Sequence, residues 1–138
     1  MPRPLLFLCC ASTSIDYRHN HLSIFHLLEE VPLEHGVPAD GVGISLEVVS
    51  IWQRLEGEEN VTFIQKVDII SPSRDRVASS ETEFLLEKPR HRILGRWENV
   101  PIKETGEYIF ELRIKRLEDL SWEEQPAATY RVLVTRQS

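Results

Sequence analysis

The sequence predicts an all-β protein, a single-domain antiparallel β-sandwich of about eight strands with an immunoglobulin-like or related topology. Three observations predict this fold. Apolar side chains recur with a period of two, which is typical of strands with one buried face. Turn residues separate the apolar runs at short intervals, and no segment carries a sustained helical stripe. The chain has 138 residues, the usual size of one domain, and no linker divides it, so residues 1–138 are predicted to form one domain.

The clearest strand is Tyr108–Lys115, in which four apolar side chains face one way and most of the intervening residues are charged. Seven other runs have the β-branched, aromatic or alternating character of strands. In chain order these are Leu5–Cys10, Leu22–Leu28, Ile44–Gln53, Val61–Ile70, Val77–Leu86, Ile93–Ile102 and Tyr130–Thr135.

Two longer segments separate some of these runs. Glu29–Gly43 contains two Pro and three Gly, and it is predicted to be a loop that crosses from one sheet to the other. Leu117–Gln125 is acidic and is predicted to be either one helical turn or a polar loop before Pro126.

The first strand, Leu5–Cys10, is apolar on both faces. Such a strand is either central in its sheet and covered on both sides, or it lies at a contact between subunits. The second possibility gives a specific hypothesis, which is that the chain forms a homodimer.

Cys9 and Cys10 are the two cysteines of the chain, and neighbouring strand residues point to opposite faces, so they suit neither a mutual disulfide nor a shared metal. Apolar surroundings raise the pKa of a thiol, which favours core packing over a reactive cysteine. The lack of a disulfide framework is typical of a reducing compartment, and we predict a cytoplasmic location. The apolar run Leu5–Ala11 is short for a secretory signal, and no window approaches a membrane span.

The net charge of the chain disfavours some classes of binding partner. The formal net charge is −6, which disfavours long-range attraction to nucleic acid or to an anionic membrane. We therefore predict a protein partner or self-association, and neither nucleic acid nor a membrane.

A short motif supports the fold class. The turn Lys103–Gly106 is followed by Tyr108 at the start of a strand. This arrangement resembles the E–F corner of immunoglobulin-like sandwiches, in which a Tyr packs inward and its hydroxyl bonds to nearby backbone. Phe110 stands where antibody domains have a cysteine, so the antibody-type disulfide is absent.

A series of motifs runs through the whole chain. An apolar strand ending in Cys is followed by Asp16-Tyr17, by the short strand Leu22–Phe25, by Val31-Pro32 in a crossover, and by Gly106, Tyr108 and Phe110 in a late strand. This order resembles a bacterial family of small uncharacterised β-sandwich proteins. In that pattern a Gly usually stands near the position of His26. The resemblance implies the fold and no activity, because the function of the family is unknown.

The histidine-rich stretch between the first two strands is the sharpest candidate for chemistry. If the stretch is extended, His19 and His21 lie on one face, as two ligands of a metal must, and His26 lies on the other. If Arg18–His21 is instead a polar turn, with Asn20 in a left-handed conformation, we expect the two rings to diverge. The turn is the favoured interpretation, since no third ligand has a defined spacing.

Two other features are candidates for partner binding. Lys88, Arg90 and Arg92 form a basic cluster at a predicted turn, suited to a phosphate or an acidic peptide. Trp52 and Trp97 lie within strand patterns and are predicted to pack in the core. Trp122 lies in an acidic segment and is the best candidate for an exposed aromatic at a protein contact.

No nucleophile elbow, phosphate-binding glycine loop or catalytic Cys/His signature is present. The sequence therefore predicts a non-catalytic binding or assembly module without a cofactor. Such a module would recognise its partner through loops at one end of the sandwich or through a sheet edge. The alternative is a protein that binds a metal or small ligand through His19 and His21.

Overall fold

The computed structural model describes residues 1–137, and these contain strands and no helix, so the all-β prediction is confirmed. Residues 1–137 form nine strands rather than about eight. In chain order they are β1 (Arg3–Asp16), β2 (His21–Leu27), β3 (Glu30–Leu33), β4 (Val42–Gln53), β5 (Thr62–Ile70), β6 (Arg76–Leu85), β7 (Arg90–Ile102), β8 (Gly106–Arg116) and β9 (Ala128–Arg136). Ser138, the last residue of the predicted domain, lies outside the described residues.

The strands form two sheets that pack together. One has the order β2-β1-β4-β7, and the other has the order β3-β9-β8-β5-β6. Neighbouring strands are antiparallel except β3 and β9, which are parallel. The inward faces contribute a single cluster of buried side chains, of which the largest are Trp52, Tyr108, Phe63 and Phe110. Trp52 is fully buried and Trp97 packs against the cluster, so both tryptophans lie where the sequence predicted.

The short strand β3 lies in the segment predicted to be a loop. Its Val31 and Leu33 pack against the core, and Glu30 pairs with Leu133 of β9. The sequence pattern missed β3 because four residues that include Pro32 carry too little periodicity to indicate a strand. The other doubtful segment, Leu117–Gln125, is a polar loop and not a helical turn.

One buried hydrogen-bond centre joins the two sheets. Gln65 of β5 is 5% exposed, and its Oε1 accepts from Ser50 Oγ at 2.5 Å and from Trp52 Nε1 at 2.8 Å. Both donors lie on β4 in the opposite sheet. Because an unpaired polar group costs free energy in a dry interior, this three-way contact favours one relative placement of the sheets.

Tyr108 has the corner role that the sequence predicted. It is 2% exposed, and its hydroxyl donates to the carbonyl of Glu104 at 3.2 Å and accepts from the backbone N–H groups of Lys103 and Glu104. Gly106 completes the turn with a φ of 124°, and a Cβ there would lie 2.9 Å from Pro72. The turn therefore requires glycine at this position.

The first strand is central in its sheet, between β2 and β4. Cys9 belongs to the core between the sheets, and Cys10 is also fully buried. β1 is thus a central strand, and within Leu5–Cys10 the two cysteines are fully buried while the four residues before them are exposed or half-buried.

The second half of β1 and all of β2 form a hairpin that bends back over the sheet. In the β1–β4 ladder Cys10 lies beside Glu47, so a flat continuation would place Thr13 beside Ile44. Instead Thr13 Oγ1 donates to Glu47 at 2.5 Å. The tip of the hairpin, Asn20, reaches Arg92 of β7, which pairs with Ile51 far along the ladder in the other direction. The hairpin therefore crosses the outward face of β4 and β7.

Candidate binding cleft

A cleft of about 560 Å³ lies on this outward face, beside the tip of the hairpin. Its lining combines aliphatic side chains with fixed positive charges. The aliphatic residues are Ile15 from the hairpin, Ile51 from β4, Leu85 from β6 and Leu94 from β7, and the charged ones are Lys88, Arg90 and Arg92. Glu87 is the acidic residue of the lining.

Arg92 connects the hairpin to the cleft. Its Nη1 donates to Asn20 Oδ1 at 3.3 Å, and its Nη2 donates to the Asn20 carbonyl at 3.2 Å. Its Nε is buried and has no hydrogen-bond partner within residues 1–137. An arginine with one unused buried donor is a strong hydrogen-bonding group for an anion, if the anion can reach it.

Two candidate regions that lie far apart in the sequence are therefore neighbours in the structure. The tip of the hairpin, with His19 and Asn20 in the turn and His21 at the start of β2, meets the basic cluster through Arg92. The predicted turn, Arg18–His21, lies at residues 17–20 instead, because His21 already belongs to β2; Asn20 has the predicted left-handed φ, at 56°. The prediction of one basic turn over residues 88–92 was wrong in part, because Arg90 and Arg92 already belong to β7, where pairing with β4 fixes their direction.

The expectation that the two imidazoles diverge in a turn was wrong. The ring centroids of His19 and His21 lie 5.5 Å apart, with 31° between the ring planes. Both side chains are exposed, and Asn20 between them has the left-handed φ. Residues 1–137 contain no group of three His, Cys, Asp or Glu side chains placed to hold a metal ion. His19 and His21 thus form an exposed pair without a third protein ligand.

His26 lies on β2, as His21 does, but its backbone conformation is unusual for a strand. Its φ is 55°, a conformation that L-residues other than Asn, Asp and His rarely adopt within a strand. A left-handed φ is what glycine accommodates most easily.

His91 also lines the cleft, but its ring packs towards the contact with β6. It stacks on Phe84 with the ring centroids 4.7 Å apart, at the contact between β6 and β7. Burial lowers the pKa of His91, and the nearby Glu87 carboxylate opposes that shift. The positive charge of the cleft therefore rests on the lysine and the two arginines.

Trp122 lies elsewhere, in the loop between β8 and β9, against lysines of the other sheet. It is half-buried, with Lys66 Nζ 4.5 Å and Lys115 Nζ 4.9 Å from its ring centroid. Arg113 holds the same loop by donating to the carbonyls of Glu123 and Glu124. The predicted partner-binding residues thus do not form one site, since Lys88, Arg90 and Arg92 share a cleft and Trp122 covers the lysines of β5 and β8.

The surroundings of the two thiols raise the pKa of both. Burial raises the pKa of Cys9, and the neighbouring Cys10 raises it further. Burial also raises the pKa of Cys10, and the Glu47 carboxylate adds to that effect. Neither thiol forms a disulfide.

The sequence gives no signal for the contact between Asn20 and Arg92. The two residues are 72 positions apart, and each lies in a segment with an ordinary local explanation. Only the bend in β1 brings them together.

Comparisons with known proteins add no assignment: neither the models of protein families nor the curated proteins yield a match to this chain. Residues 1–137 also include no helix that is long and apolar enough to cross a bilayer.

Proposed function

We propose that the chain is a single-domain, immunoglobulin-like sandwich that acts as a non-catalytic binding module, and that the cleft binds an acidic segment of a partner protein. The observation that carries this proposal is the clustering of Lys88, Arg90 and Arg92 around aliphatic side chains in a chain whose net charge is −6. Positive charge concentrated in one concave place on an acidic protein favours an anionic ligand there.

The lining chemistry favours a peptide over a small inorganic anion. Arginine recognises carboxylates through paired hydrogen bonds, and Ile15, Ile51 and Leu94 offer contacts for aliphatic side chains between the acidic ones. In the free protein the terminal nitrogens of Arg92 bind the neutral oxygens of Asn20. A carboxylate is a stronger acceptor than either, so its exchange with Asn20 is favourable.

Other observations support the broader proposal. The corner formed by Tyr108 is typical of immunoglobulin-like folds, and the resemblance to uncharacterised bacterial sandwich proteins agrees with it. The raised pKa values of the two buried thiols argue against a cysteine enzyme. Free cysteines are consistent with a reducing, cytoplasmic location.

Fluorescence anisotropy with a labelled peptide of alternating glutamate and leucine tests the proposal. The Lys88→Ala, Arg90→Ala double variant should bind the peptide about tenfold or more weakly than the wild type, and added salt should weaken wild-type binding. The matched control is Lys103→Ala, Arg136→Ala, which removes two exposed cations outside the cleft. Equal affinities of the two double variants, or no binding by the wild type, would reject the acidic-peptide site.

The pair of histidines favours a second candidate, a metal-binding function. Two imidazoles that share one tetrahedral zinc ion have ring centroids roughly 5 Å apart, given the usual zinc–nitrogen distances. The 5.5 Å separation of His19 and His21 is close to that geometry. Water would have to complete such a site, because the described residues supply no third ligand.

Calorimetric titration with zinc and with nickel separates this candidate from the first. The wild type and a His26→Ala, His35→Ala control should release the same binding heat, and a His19→Ala, His21→Ala variant should release none. The metal site would be rejected if the wild type released no binding heat, or if the variant without His19 and His21 released the same heat as the wild type.

A further inference from the structure

The free edges of the two sheets differ in how well they are protected. The edges are β2 and β7 in one sheet, and β3 and β6 in the other. Proteins protect an exposed edge with charged side chains, proline or a short strand, because its free N–H and C=O groups can pair with another chain. β3 has four residues with Glu30 and Pro32, β6 has Arg76, Glu81 and Glu83, and β7 has Pro101 and several arginines.

The edge strand β2 has none of these protections. Its sequence, HLSIFHL, contains no fixed charge and no proline over seven residues. Five of the seven are exposed, and among them Phe25 is 46% and Leu27 is 48% exposed. Within residues 1–137, the backbone of β2 bonds to β1 on one side, and no hydrogen bond to another segment is found on its free side.

We propose that the free edge of β2 pairs with β2 of a second copy of this chain, so that the four-stranded sheet continues across a two-fold axis. The charge of the chain favours a second copy as the occupant. Each molecule carries a net charge of −6, and β2 is the edge on which two such molecules meet without fixed like charges opposite one another. An acidic or basic partner would find no complementary charge there.

The sequence of β2 is also self-complementary. The left-handed φ of His26 ends the regular part of the strand, which leaves His21–Phe25 as the segment available for pairing. An antiparallel pair centred on Ser23 places the two Ser23 residues opposite one another. It also places His21 opposite Phe25 of the second copy, twice, once on each side of the axis. These pairs cover the exposed aromatic side chain.

This inference does not depend on the cleft, whose cations lie on β7 and on the loop before it, at the other edge of the sheet. The proposed contact between subunits is therefore β2 and not the apolar run Leu5–Cys10 of β1.

The first test is sedimentation equilibrium of the wild-type chain up to about 1 mM, beyond which an association is too weak to be specific. The wild type should show a monomer–dimer equilibrium. Ser23→Lys, which sets two positive charges opposite one another, should abolish the dimer. Ser45→Lys should leave it intact, because it adds the same charge at an exposed position of β4. Thermal unfolding checks that both variants are folded.

A cross-link tests the register. In an antiparallel pair, residues directly opposite have Cα atoms about 4.5–5.5 Å apart, which a disulfide can span. Cys9 and Cys10 are fully buried, so an introduced cysteine would be the accessible thiol. Mild oxidation should join Ser23→Cys into a disulfide-linked dimer and should leave Ser45→Cys monomeric. A monomeric wild type, a dimer that Ser23→Lys leaves unchanged, or equal cross-linking of the two cysteine variants would overturn the proposal.

Discussion

Arg92 holds Asn20 through two hydrogen bonds, of 3.3 Å to the side-chain oxygen and 3.2 Å to the carbonyl. These bonds attach the tip of the β1–β2 hairpin to the strand at the opposite edge of the same sheet. At the other end of the hairpin, Cys10 is fully buried where β1 bends away from β4. We therefore expect the attachment of the tip to limit access to the thiol at the base of the hairpin.

Replacement of the arginine should loosen this attachment. Arg92→Lys retains the charge and loses the planar pair of donors. The free energy of opening the hairpin should therefore fall by about 1 kcal/mol, which raises the population of the open state roughly fivefold. The rate at which a disulfide reagent labels Cys10 in a Cys9→Ala background measures the opening.

The control for this experiment is Arg131→Lys, since Arg131 is an exposed arginine on β9 that pairs with Glu107. Its labelling rate should match that of the parent. If Arg92→Lys also leaves the rate unchanged, the hairpin is held by its apolar contacts and not by Arg92.

Loss of one hydroxyl should destabilise the corner at Tyr108. Tyr108→Phe leaves the Glu104 carbonyl and two backbone N–H groups without their present partner, at a cost of about 1–2 kcal/mol. Urea denaturation measures the free energy of unfolding. Tyr17→Phe, at a residue that is 95% exposed, should have no effect, and equal stability of the two variants would contradict the corner's role.

A glycine should be tolerated better than histidine at position 26. The left-handed φ of 55° strains a residue with a Cβ, so His26→Gly should raise the free energy of unfolding by about 0.5–1 kcal/mol. Ser14→Gly, at an exposed position of β1, should lower it by a similar amount, because glycine weakens an ordinary strand. Thermal denaturation shows whether each variant is more or less stable than the wild type. A loss of stability in both variants would show that His26 is not strained.

The stability of the protein should fall in mildly acidic solution partly through His91. Its pKa is lower in the folded chain than the usual value of about 6.5, so the unfolded chain binds more protons below that pH. The contribution is present above about pH 6.5 and is lost as the pH falls towards the folded pKa.

His91→Phe keeps an aromatic ring against Phe84 without a titrating group, so its Tm should change less than that of the wild type between about pH 7.5 and 5.5. Glu87→Gln removes the carboxylate that opposes the lowering of the His91 pKa, so the Tm of this variant should fall more steeply with decreasing pH than that of the wild type. An identical pH dependence in all three proteins would contradict this role of His91.

The features that were predictable from the sequence are those that local pattern determines. Alternation, short apolar runs and β-branched content located eight of the nine strands in residues 1–137, and the Gly106-x-Tyr108 motif indicated a corner whose hydrogen bonds the structure shows. Asn20 was assigned its left-handed conformation because a short polar side chain favours it in a turn.

The features that were not predictable depend on distant partners. β3 is a strand because β9 lies beside it, and four residues with a proline carry no such signal themselves. The bend of β1 follows from contacts such as Thr13 with Glu47, and those contacts bring the histidine turn to the basic cluster. The side-by-side arrangement of His19 and His21 likewise depends on the exact backbone of one turn, which residue types alone do not specify.

The parallel pairing of β3 with β9 has a consequence for folding kinetics. Glu30 and Leu133 are neighbours in the sheet, although roughly a hundred residues separate them, so loop-closure entropy disfavours their encounter early in folding. Every other strand pair of that sheet can form before this one. We therefore expect slow folding, on the millisecond-to-second scale usual for all-β chains, with β3 docking in the last step.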